Sequence, residues 1–491
     1  MINLSINEGR LKNAVARAAE EGVILPTFEQ MKNPDLIPEK IKEKLKDIGL
    51  WEINSLNLFR ISWQNEPTRE GGQFGGVNFL ELPSELTGVD AKIIALVGKW
   101  FPTGAHKVGA TYGCLVPKLV TGQFDPTAEK AVWPSTGNYC RGGAYNSQLL
   151  GCESIAILPE GMSQERFDWL AEVADEVIST PGTESNVKEI FDKCWELRET
   201  RDNIQIFNQF EELGNHLWHY EVTGDAMLKA FAEIADDNTR LAGITLTSGS
   251  AGTLASADRV KESHPQARLA VAEALQCPTL LYNGFGDHRI EGIGDKHVPW
   301  VHNVKNTDMV LGIDDNDSMA LTRLFNTEVG KEYLAERGVD SETIDRLPLM
   351  GISGISNMLA AIKYAKYYEL TEEDVVMTVL TDSMELYGSR VEEMKEEAGE
   401  YEETDAAIDY HKHLLGQKID HVQELDYYSK KRIHNLKYYT WIEQQGRDSE
   451  ELKAQWYDYE NYWGELHNMA PEIDKLIEEF NQETGLKEEL E

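Results

Sequence analysis

The sequence predicts an α/β protein built on parallel sheets, flanked by helical extensions at both ends. Three observations carry this. Between about residue 75 and residue 390, short apolar runs rich in β-branched residues alternate with amphipathic helical stretches. The apolar runs are continuous rather than alternating, as in strands covered by helices on both faces. After residue 390 the text becomes polar and helical and is crowded with aromatics, as in "NLKYYTWIEQQG" and "QWYDYENYWGEL". Residues 8–21 form the first expected helix. Pro26, Pro34, Pro38, Pro67 and Gly71-Gly72 then break up the stretch to about residue 77. The expected strands are 92–97, 131–133, 154–158, 205–207, 244–247, 269–272, 309–312 and 375–380. No strand is expected beyond residue 390. The chain thus divides into an N-terminal extension (1–74), a core (75–390) and an acidic, aromatic-rich helical extension (391–491).

Composition narrows the function. A formal charge of −38 over 491 residues makes nucleic acid and anionic membrane poor partners. The segment 391–491 alone holds 27 acidic and 11 basic side chains, but its tryptophans and tyrosines need burial. A disordered acidic tail is poor in aromatics, so this one is expected to pack on the core or on a second subunit. No apolar run approaches the roughly 20 residues of a membrane span. The start, "MINLSINEGR", lacks the basic and apolar regions of a secretory signal. Five cysteines without a CxxC pair (Cys114, Cys140, Cys152, Cys194, Cys277) suit reduced thiols in the cytoplasm rather than a disulfide framework or a zinc site.

Ligands of α/β sheets sit beyond the carboxyl ends of strands, and four strand ends here lead into unusual loops. The first is "FPTGAHKVGATYGC", residues 101–114, where Lys107 stands among small residues. Small neighbours allow another group to approach the ammonium, and burial would turn the amine into a nucleophile or base. The alternative is a solvated lysine at a helix start. The second is "PSTGNYCRGGAY", where Ser135, Thr136, Gly137 and Asn138 offer hydroxyls, an amide and backbone N–H groups to an anion. Plain N-capping is the alternative. The third, "SGSAGT" at 248–253, has the glycines and hydroxyls of a phosphate cradle, or of a tight strand–helix turn. The fourth, "TDSMELYGS" at 381–389, places Ser383 where it could meet a ring nitrogen or cap a helix. One ligand uses all four: pyridoxal phosphate needs a lysine, a phosphate cup, a donor for its ring oxygen and a partner for its ring nitrogen.

These segments, in this order, resemble the cysteine synthase and cystathionine β-synthase group of the fold-type II, tryptophan synthase β-like superfamily of pyridoxal phosphate enzymes. The resemblance covers residues 75–390. "GKWFPTGAHKVGA" stands at the family's lysine segment, and its Thr-Gly-Ala-His-Lys core looks most like the tryptophan synthase β chain. "STGN" is similar to Ser-Gly-Asn, and "LPEGMSQERFDWL" to Pro-Glu-x-Met-Ser-x-Glu-Arg. "NQF" at 208–210 resembles Gln-Gln-Phe, and "GSAGT" sits at Gly-Thr-Gly-Gly-Thr. "IEGIGDKHVP" at 290–299, "GISGISNM" and "LTDSMELYGS" match further family segments.

The resemblance implies two parallel-sheet domains of the fold-type II kind, the smaller at about 113–222 and the larger from 75–112 and 223–390. It implies that Lys107 forms the aldimine and shuttles the α-proton, with His106 beside it. Asn138 meets the ring oxygen, Gly249, Ser250, Ala251, Gly252 and Thr253 bind phosphate, and Ser383 faces the ring nitrogen. Ser135, Thr136, Gly137 and Gln209 hold the substrate carboxylate, and Gly292 lines the face where amino acid and nucleophile meet. A neutral serine at the ring nitrogen stabilises a carbanion less than a carboxylate does, which favours loss of a β-substituent through an aminoacrylate. The implied activity is β-replacement on a small β-substituted amino acid such as O-acetylserine or serine. β-Elimination of the cysteine desulfhydrase or serine/threonine dehydratase type is the alternative, as is a cofactor-binding partner subunit without turnover. A homodimer or higher homo-oligomer is expected.

The chain departs from the family at Val77-Asn78-Phe79, at Phe101, and at Asp295-Lys296-His297. The last is either a charged patch near the substrate or a charged surface turn. His216 and His219 have helical spacing but no recognisable third ligand in sequence, so a helix surface or interface is expected and no metal centre.

Overall fold

Residues 1–135, 137–183 and 186–486 are described by the structure, a computed structural model. β1 (Phe79–Leu82) and β2 (Lys92–Val97) begin a first sheet. β3 (Lys130–Pro134), β4 (Ser154–Pro159), β5 (Glu176–Thr180) and β6 (Ile204–Ile206) form a second. β7 (Arg240–Thr247), β8 (Arg268–Ala274), β9 (Met309–Ile313), β10 (Asp374–Leu380) and β11 (Val422–Glu424) return to the first. Its order is β1-β2-β10-β7-β8-β9-β11, and that of the second sheet is β5-β4-β3-β6.

The second sheet is parallel throughout, and the first is parallel except at its edges. β10 lies between β2 and β7, and all seven of its residues are buried. Helices cover both faces of such a strand, so every side chain must be apolar or internally satisfied. Because Leu380 pairs with Val97, the loops after β2 and β10 leave the sheet side by side. The loop after β7 leaves the same end. Parallel pairing thus gathers segments more than 270 residues apart in sequence.

Three strands differ from the sequence expectation. β1 and β5 were not expected: β1 is a short edge strand with alternating burial, and β5 is mostly half-buried. β11 overturns the expectation that no strand follows residue 390. Its three residues are polar or half-buried, and it exists because β9 offers an open edge, pairing Val422 with Leu311 and Glu424 with Met309. β6 begins one residue earlier than expected, and the first helix spans Glu8–Glu20.

The C-terminal extension packs on its own chain. Trp441, Trp456 and Trp463 are all buried. The Trp441 indole N–H donates to the Val298 carbonyl at 2.8 Å. The buried Lys437 ammonium donates to the carbonyls of Trp300 and His302 and to Gln455 Oε1. Asn481 exchanges two hydrogen bonds with the backbone of Leu25, at 2.9 and 2.8 Å. Asp474 accepts from the N–H groups of Phe28 and Glu29 at the start of the helix Phe28–Lys32. Among the described residues, no helix is long and apolar enough to cross a membrane.

Candidate active site

Lys107 opens the helix Lys107–Leu119, directly after two turns that follow β2. Two of the glycines that follow it serve helix packing. A Cβ on Gly109 would lie 2.0 Å from the Trp218 ring, and one on Gly113 2.5 Å from the Gly214 carbonyl. The helix therefore lies against its neighbours at a distance only glycine permits, and this fixes where Lys107 emerges. Its Nζ donates to Ser250 Oγ at 3.0 Å. Ser250 also accepts from Asn215 Nδ2 at 3.1 Å, and Asn215 holds the Gln209 carbonyl as well.

The loop 248–253 follows β7. Ala251 adopts a left-handed conformation (φ 63°), and a Cβ on Gly252 would sit 2.0 Å from Asn215 Oδ1. The loop is thus folded tightly onto Asn215 before the helix Ala255–Ser263 begins. Gly249 lies against Gly292, where an added Cβ would come within 2.9 Å of the carbonyl. After β3, Ser135 Oγ accepts from the Gly137 N–H and from Gln209 Nε2, at 3.2 and 3.1 Å. Asn138 Nδ2 donates to Asp382 Oδ2 at 2.6 Å.

One cavity is walled by Lys107, Ser135, Asn138, Gln209, Gly249, Ser250 and Gly292, joined by Asp295 and Thr381. Ala251, Gly252 and Thr253 continue the loop beyond Ser250. His106 is buried and reaches Thr381 Oγ1 through Nε2 at 3.3 Å. Burial, and then the adjacent Lys107 ammonium, push its imidazole well below the ordinary range. Ser383 is buried at the head of the turn Met384–Leu386, two residues past Thr381, and does not wall the cavity. Thr136 lies outside the described residues.

Asp295-Lys296-His297 splits three ways. Asp295 is buried, one of its carboxyl oxygens has no partner, and burial pushes it up to about 8 against the pull of Lys107. Lys296 is exposed and pairs with Asp287 at 3.3 Å. His297 packs edge-on against Phe210 and Trp441. A surface turn therefore describes Lys296 alone.

Sequence reasoning assigned no role to a buried chain behind the cavity. Glu291 accepts from Arg166, whose Nη2 donates to Tyr387 Oη at 2.9 Å. Tyr387 donates to Asp382 Oδ2 at 2.7 Å, and Asp382 holds Asn138. Burial raises the Asp382 carboxyl, while Arg166 opposes that shift. Arg166, Asp382 and Tyr387 all fall within segments that resembled the family, so the signal was present. Asn215 carried none, because a polar residue is ordinary until the fold buries it.

The fold thus sets a lysine and a glycine-rich loop at the loop edge of two largely parallel sheets. Residues 99–331 match the family of pyridoxal-phosphate dependent enzymes. A cysteine synthase of Staphylococcus aureus is 30% identical over 267 residues, spanning 54% of this chain and 77% of that protein. A probable cysteine synthase of Bacillus subtilis is 28% identical over 287 residues, 58% of this chain and 85% of the relative. The crystal structure of O-acetylserine sulfhydrylase isoform 3 from Entamoeba histolytica superposes with a TM-score of 0.56 at 20% identity, covering 70% of this chain and 94% of that one. The chain belongs to the family of pyridoxal-phosphate dependent enzymes, with the fold-type II architecture, and it is an enzyme that uses this cofactor.

Proposed function

We propose that the protein catalyses β-replacement, joining sulfide or another small nucleophile to a β-substituted amino acid such as O-acetylserine or serine. One observation carries this: the Lys107 amine meets Ser250 in the same cavity that holds Ser135, Gln209 and Gly292. The cysteine synthases among its relatives support the substrate class.

The residues fit the cofactor. Asn138 Oδ1 and Asp295 Oδ2, on residues that wall the cavity, are buried without partners, and each such atom costs about 1–3 kcal/mol unless something polar meets it. Lys107 would hold the cofactor's aldehyde carbon, the loop 249–253 its phosphate, and Asn138 its ring. When bound, the cofactor supplies an electron sink that acidifies the Cα–H of an amino acid and lets a β-substituent leave.

The chain's own groups do the rest. Lys107 Nζ takes the proton from Cα and keeps it within reach of Ser250 Oγ. Ser135 accepts two hydrogen bonds, which casts its own hydroxyl hydrogen as a donor to the substrate carboxylate. Gln209 and the backbone at Gly137 complete that carboxylate site. Gly292, with φ 94°, presents backbone instead of a side chain to the incoming nucleophile. Asp295, across the cavity from Lys107, exchanges a proton with the group that leaves or adds at Cβ. Five buried, unpaired cysteines support a reducing compartment such as the cytoplasm.

The test is product analysis of the cofactor-loaded enzyme with O-acetylserine, with and without sulfide, alongside borohydride reduction and peptide mapping. Sulfide-dependent cysteine and a label on Lys107 are expected. Pyruvate and ammonia regardless of sulfide would reassign the enzyme to β-elimination. A label without turnover on any β-substituted amino acid would make it a partner subunit.

A further inference from the structure

His216 is buried on the helix Leu213–Trp218, and its Nδ1 lies 3.0 Å from the Val301 carbonyl. A carbonyl only accepts, so Nδ1 carries the hydrogen and Nε2 presents a lone pair. That lone pair points at no backbone donor. It faces His467 Nε2 at 3.0 Å and Asp258 Oδ2 at 3.8 Å. His467 Nε2 is also 3.8 Å from the same carboxylate oxygen. Asp258 is buried on the helix Ala255–Ser263, and His467 ends the helix Glu465–His467 in the C-terminal extension. His219, which shares helical spacing with His216, faces Thr223 and takes no part.

We propose that His216, Asp258 and His467 bind one divalent cation of the zinc class, which pins the C-terminal extension to the catalytic core.

The distances carry this. A point equidistant from three atoms separated by 3.0, 3.8 and 3.8 Å lies about 2.1 Å from each, which is the bond length of zinc to imidazole nitrogen and carboxylate oxygen. Two imidazoles and one carboxylate form a borderline donor set that suits zinc, cobalt or iron(II) rather than calcium or magnesium. Three protein ligands leave one position for water.

The surroundings hold the ligands as metal sites do. The Val301 carbonyl fixes the His216 tautomer, and Tyr220 stacks on His467 with ring centroids 3.8 Å apart. Asn303 donates to Asp258 Oδ2 at 2.7 Å, and Asn306 donates to Oδ1. A simple hydrogen bond between the two histidines leaves the buried Asp258 oxygen 3.8 Å from both rings, beyond hydrogen-bond reach of either. It is the one group of this kind among the described residues. Asn215, next to His216 in sequence, holds the hydroxyl that Lys107 touches, so the site adjoins the active-site support without entering it.

The full-length, cofactor-loaded enzyme would be stripped with a chelator and titrated with Zn²⁺ and with Co²⁺. One equivalent per chain, and visible cobalt bands of a four- or five-coordinate site, are expected. His467→Ala and Asp258→Asn should weaken zinc binding on the order of 100-fold or more and remove the cobalt bands. Both should retain the visible absorbance of the bound cofactor, which separates this site from the reading of the active site. Less than half an equivalent on the wild-type chain would overturn the proposal. So would cobalt bands that survive His467→Ala.

Discussion

Asn138 and Asp382, 244 residues apart, share a 2.6 Å hydrogen bond behind the wall of the cavity. The bond joins the loop after β3 to the loop after β10, and so joins the two sheets. Tyr387 and Arg166 extend it to Glu291. Asp382→Ala removes the acceptor of two buried hydrogen bonds. It should destabilise the protein on the order of 3 kcal/mol and weaken cofactor binding about tenfold. Denaturant unfolding and cofactor titration measure the two effects separately.

Lys107→Ala should abolish turnover while leaving stability within about 1 kcal/mol, because the side chain is only half-buried and is replaced without a cavity. Steady-state assays and a thermal melt decide this. Normal turnover in the variant would refute the assignment of Lys107.

Asp295 sets a pH dependence. In the unfolded chain its carboxyl titrates near 4, whereas in the folded protein it keeps its proton up to about 8. The folded state therefore binds the extra proton between these values. The stability this group contributes is fully present below about pH 4 and is lost as pH rises through about 8. Asp295→Asn should flatten this fall, gaining on the wild type as pH rises. It should also remove any limb near pH 8 from the rate profile. Unfolding curves and kcat/KM from pH 5 to 9 test both.

Trp441→Ala should destabilise the protein by about 3–5 kcal/mol, the range for a large aromatic lost from a core. The indole is fully buried, donates to Val298 and packs on His297 and Trp300. Because His297 follows the cavity residue Asp295 by two positions, KM should rise as well. Denaturant titration and kinetics report the two.

The sequence announced the central strands and the lysine loop because both are local. β10 reads as a strand from its own apolar run, and Lys107 from its glycine-rich setting. β1 and β11 were not legible, since an edge strand is decided by the neighbour that needs pairing. Asp295 was legible as unusual but not as buried. The packing role of Gly109 was not legible, because the ring it accommodates, Trp218, is more than 100 residues away. Asp258 and His467 share no motif with His216, and only folding brings the three together.

Asn481 clasps Leu25, and Asp474 holds the start of the second helix. During synthesis, Leu25 and Phe28 therefore wait on the ribosome without these partners until residues 474–481 have emerged. The two segments can close on each other only after the more than 440 residues between them have been made.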